Sequence, residues 1–68
     1  MTTVEDELKR LNRDIEGLLE SNRLDWLALA EKPMSREERL TLRKAIAARS
    51  IDLSDLMERK WAIIKGRQ

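Results

Sequence analysis

An all-α antiparallel helical hairpin is the fold this sequence predicts, and three observations predict it. The 68 residues are rich in Leu, Ala, Glu, Arg and Lys, with 40% charged side chains, 3% aromatics, two glycines and one proline, a composition that favours helix or coiled coil over strand. Apolar residues recur at helical spacing in two segments of similar length, each of roughly 30 residues. The single proline, Pro33, sits near the midpoint inside "EKPMSREER" and is followed at once by a helix-start signal. A net charge of +1 and the regularly spaced Leu and Ile argue against disorder.

The first helix is expected over about residues 3–31. At 100° per residue Val4, Leu8, Leu11, Ile15, Leu18, Leu19, Trp26 and Leu29 fall on one stripe, and from 4 to 18 the steps are 4, 3, 4, 3, the spacing of a packed seam. "ESNRLDW" is the weak point. Ser21 or Asn22 could cap a new short helix there, with Asp25 in its first turn, so the segment is either one helix or two broken near Asn22. In an unbroken helix Asn22 falls within the apolar stripe, where a buried amide costs stability but can set register or oligomeric state. At a break it is simply solvated.

The turn is expected over 32–35. Proline disfavours the α conformation of the residue before it, which ends the first helix at Lys32. "SREE" then has capping-box spacing, with the Ser35 oxygen accepting from Glu38 N–H and the Glu38 carboxylate reaching back to Ser35 N–H. A second helix follows over about 36–65, with Gly66 as its stop signal. Leu42, Ile46, Leu53, Met57 and Ile64 share one face, with Ala45, Leu56 and Ile63 on one shoulder and Trp61 on the other. Two long helices with a short connection form an antiparallel hairpin. Residues 1–32 carry eight acids and five bases, and residues 33–68 carry five acids and nine bases, so the two arms attract weakly.

One domain is expected at this length, and its single core contributes about 3–5 kcal/mol at most. The sequence holds no cysteine and no histidine, which removes disulfides and makes a structural zinc site a poor expectation. Association of two hairpins into a four-helix bundle is therefore the expected source of further stability, with the seam's outer edges (Leu56, Ile63, Trp61, Leu19) left wet in a lone hairpin. "MTTVEDELKR" does not read as a signal peptide. The longest apolar run, "WLALA", is too short for a bilayer, so a cytoplasmic protein with no membrane partner is expected.

Without Cys, His or Tyr, catalysis would have to rest on Ser, Thr, Lys or carboxylates. Ser21, Ser35, Ser50 and Ser54 have no base partner at helical spacing, and there is no Gly-rich phosphate loop or zinc-binding HExxH pattern. The expectation is a non-enzymatic chain with no catalytic residues, no metal, no cofactor and no small-molecule substrate.

Two candidate surfaces remain. Leu24 and Leu27 lie off the main stripe, and with Met34 and Leu40 around Trp26 they would form an apolar patch at the turn end, buried by a bend or a second copy or else left open for a partner. Trp26 and Trp61 are expected at the core edge and are also contact candidates. The rival surface is basic, with Arg36, Arg39 and Arg43 along the second helix and Lys65 in a tail, "RKWAIIKGRQ", that has four bases and no acid. Arg49 interrupts the second apolar face. In a hairpin folded about residue 33 it lies near Leu18 and Leu19, with its head expected in water. The alternative is a polar contact with Asn22, or with Asp14 or Asp25 of another chain.

The function read from these features is protein binding: a small regulator that associates with itself and inhibits or adapts a larger protein such as a transcription factor. The alternative is nucleic-acid binding. In length and hairpin architecture the chain resembles the plasmid RNA-binding hairpin dimers of the Rop type, although no RNA-contacting residue is matched. "IAARSIDLSDLMERKWAII", residues 46–64, also resembles a degenerate helix-turn-helix that lacks the glycine of its turn.

Overall fold

A computed structural model describes residues 3–66, and its two helices, α1 (Val4–Glu31) and α2 (Arg36–Gly66), form a hairpin. The ends of each helix follow local chemistry. Thr3 is the N-cap of α1, accepting from Asp6 N–H at 3.1 Å, while the Asp6 carboxylate accepts from Thr3 N–H at 3.4 Å. This complete capping box was legible in "TVED" as a Thr with an acid three residues on. At the other end Lys32 adopts φ −95°, ψ 137°, the extended conformation that a following proline imposes. Its N–H still donates to Ala28 O at 2.9 Å, closing the last turn.

Ser35 caps α2 through half of the expected box. Its hydroxyl accepts from Glu38 N–H at 3.2 Å, but the return bond from Ser35 N–H to the Glu38 carboxylate is not formed. Gly66 is not the stop signal it was expected to be. It lies within α2 and its φ is not positive, so it makes no left-handed cap. α1 runs unbroken through Asn22, so neither Ser21 nor Asn22 caps a second helix. α2 is likewise unbroken across residues 46–64, and no turn separates two helices there as a helix-turn-helix requires.

The seam between the helices keeps the three-and-four spacing along its whole length. Buried or half-buried positions run through Leu8, Leu11, Ile15, Leu18, Asn22, Asp25 and Leu29 in α1. In α2 they run through Leu42, Ile46, Arg49, Leu53, Leu56, Lys60 and Ile63. A strict repeat of this kind drifts about 20° per heptad against the 100°-per-residue wheel, or about 60° from Leu8 to Leu29. That drift carries the seam through Asp25 and turns Leu19 and Trp26 out of it, while Asn22 stays within it. Val4, Trp26 and Met57, expected on the apolar stripes, are exposed, and so are Leu19 and Trp61, expected to stay wet at the outer edges of a lone hairpin, whereas Leu56 and Ile63, expected wet with them, are half-buried in the seam. Among the described residues only Ile15, Ile46 and Leu53 are buried apolar side chains.

The register differs from a hairpin folded about residue 33. Asn22 meets Ser50 and Asp25 meets Arg49, so each α1 residue lies opposite the α2 residue numbered about 73 minus its own. Glu31 then faces residue 42, and residues 36–41 overhang the end of α1 by about 9 Å. An extended four-residue connection reaches about 13 Å, enough to climb past the end of α1 before α2 turns back.

Candidate interaction surfaces

The seam contains a polar layer. Asn22 is 8% exposed and its Nδ2 donates to Ser50 Oγ at 3.5 Å, while its Oδ1 is buried without a partner. Ser50 is self-sufficient, because its hydroxyl donates to Ile46 O at 2.8 Å. One turn on, the Arg49 guanidinium pairs with the Asp25 carboxylate across the hairpin, their side chains 31% and 21% exposed. Arg49 therefore does not extend into water, and the Asp25 it meets belongs to its own chain. Asn22 occupies the seam rather than a solvated break.

The pair is testable. Arg49→Met leaves the Asp25 carboxylate half-buried without its cation, an expected loss of about 1–2 kcal/mol after allowing for partial exposure. Adding Asp25→Leu recovers most of that, because replacing both charges by apolar groups is often neutral or better. Urea melts of the single and double variants measure it. Equal losses in both would mean that the pair contributes nothing specific.

The seam divides the outside of the hairpin into two unlike flanks. One is a shallow charged groove lined by Asp14, Ser21, Asp52, Asp55 and Arg59. The helical phase turns Leu19 and Trp26 of α1, and Ser50, Met57 and Ile64 of α2, towards the opposite flank. Here Leu19, Trp26 and Met57 are 48%, 56% and 42% exposed, and Trp61 stands at its margin. Arg23 on the same side of α1 is held by Glu20 through bonds of 3.0 and 2.5 Å, and this hydrogen bond holds the Glu20 carboxyl below its usual pKa.

The expected turn-end patch is not one surface. Leu24 and Leu27 lie about 200° and 140° around α1 from Asn22, facing away from α2, and both are exposed. Leu40 is exposed on the overhanging turn of α2, whereas Met34 in the connection is half-buried. No bend in α1 covers any of them. Ile51, the most exposed of the large apolar residues, was missed by sequence reasoning, because its only signal is that it lies off the seam, about 160° from Leu53.

The basic candidates also divide. Arg36, Arg39 and Arg43 line one cleft with Leu40 on the overhang, and no ion pair engages them among the described residues. Lys65 lies in the last turn of α2 at the other end of the molecule, about 33 Å along the helix from Arg43.

No family model, curated protein or solved structure matches this chain.

Proposed function

We propose that the chain is a non-enzymatic helical protein-binding module of the cytoplasm, working as a homodimeric four-helix bundle and inhibiting or adapting a larger protein. The observation that carries this reading is excess surface. The chain exposes 5672 Å², where a compact monomer of 8.0 kDa exposes roughly 4,500 Å². Its radius of gyration is 15.5 Å, against about 11 Å for a compact domain of this length. That surface includes the apolar flank around Leu19, Trp26 and Met57, all of them exposed.

A second copy on that flank leaves Leu24, Leu27, Leu40 and Ile51 on outward faces, and these are the contacts proposed for the larger partner. Among the described residues no helix is long and apolar enough to cross a membrane. The expected result in sedimentation is twice the 8.0 kDa chain mass, with a melting temperature that rises with protein concentration. A monomer at micromolar concentration with a concentration-independent melt would overturn the reading.

The arginine cluster favours nucleic acid as the second reading, since three cations that no ion pair engages among the described residues suit phosphates. Arg36→Glu with Arg39→Glu separates the two. Loss of binding in this pair, with affinity falling steeply as salt rises, would select the nucleic-acid reading. Loss only in Leu24→Glu with Leu27→Glu would select the protein partner.

A further inference from the structure

We infer that the second copy docks on the Leu19–Trp26–Met57 flank with its turn at the opposite end of the bundle, about a two-fold axis that passes near Leu19. The inference rests on the self-association proposed above and adds its orientation and register. Two observations support it.

The first is area. The molecule measures 49 × 18 × 15 Å, so its long face covers on the order of 900 Å², close to the ~800 Å² per partner of a stable interface.

The second is the order of side-chain sizes along the flank. Trp26 lies seven residues after Leu19 and Asn12 seven residues before it, on the same side of α1. On α2, Met57 and Ser50 stand opposite residues 16 and 23 of α1 in the observed register, again astride Leu19. A two-fold axis perpendicular to the helices at Leu19 sets Trp26 over Asn12 of the other copy and Met57 over its Ser50. Each large side chain meets a small polar one. An axis parallel to the helices requires no such relation along the flank.

The sequence lacks cysteine, so single thiols can be placed at will. A spin label on Lys32→Cys, exposed at the end of α1, should give an intermolecular distance of about 40 Å for turns at opposite ends. Turns at the same end give less than about 25 Å, since neighbouring helices pack 8–10 Å apart. Leu19→Cys chains should in addition form an intermolecular disulfide under mild oxidation, because the axis brings their thiols together. A short label distance in a sedimenting dimer overturns the orientation and leaves self-association standing. A long distance without the Leu19→Cys cross-link overturns the position of the axis. A chain that sediments as a monomer and shows no intermolecular distance overturns the proposed self-association itself.

Discussion

Leu53→Ala should unfold much of the population at 25 °C. Leu53 is one of three buried apolar side chains among the described residues, with Ile15 and Ile46. Truncating a buried leucine to alanine costs about 2–5 kcal/mol, while a core of this size supplies only about 3–5 kcal/mol in total. Alanine is the better helix former, so the change does not weaken α2 as an isolated helix. Any loss reports the seam. Ile51→Ala is the matched control, two residues earlier on the same helix and 66% exposed, and its expected effect is within about 0.5 kcal/mol. Circular dichroism at 222 nm with urea melts of both variants reads the difference. If Leu53→Ala melts as Ile51→Ala does, contact between α1 and α2 is not what holds the chain folded.

Asn22→Leu should act in the opposite direction, raising stability by about 1–3 kcal/mol. The amide is buried with its Oδ1 unpaired, and its only bond is the long one to Ser50. A buried acceptor without a donor costs about 1–3 kcal/mol, and leucine, of the same branched shape though larger, removes that cost while extending the apolar seam between Leu18 and Leu29. Ser50 is not orphaned by the change, because its hydroxyl already donates to Ile46 O. The expected cost is in specificity. A polar residue at one seam position penalises every register that leaves it facing an apolar neighbour, so Asn22→Leu should sediment as more than one species. A higher denaturant midpoint together with mixed species is the expected pair of results. A lower midpoint would show that the weak bond to Ser50 contributes more than the unpaired oxygen costs.

What the sequence by itself determined is the local part of this protein. The two helices, the connection at 32–35, the extended Lys32 before Pro33 and the Ser35 cap all follow from preferences settled within about four residues. Each was legible in a short stretch of chain, as were the helix ends to within a residue.

Only the tertiary structure decided which side of each helix faces the other and where along their lengths they meet. The wheel at 100° per residue put Trp26 on the inner stripe. Packing at a strict three-and-four spacing accumulates about 20° per heptad, enough by the third turn pair to exchange Trp26 for Asp25 at the seam. Register is equally non-local. It joins Asn22 to Ser50 and Asp25 to Arg49, residues 28 and 24 apart in the chain, through a connection whose four residues could have turned back at once or climbed past the end of α1. No preference within a single turn of helix distinguishes those paths. The difference lies in which side chains end up buried together.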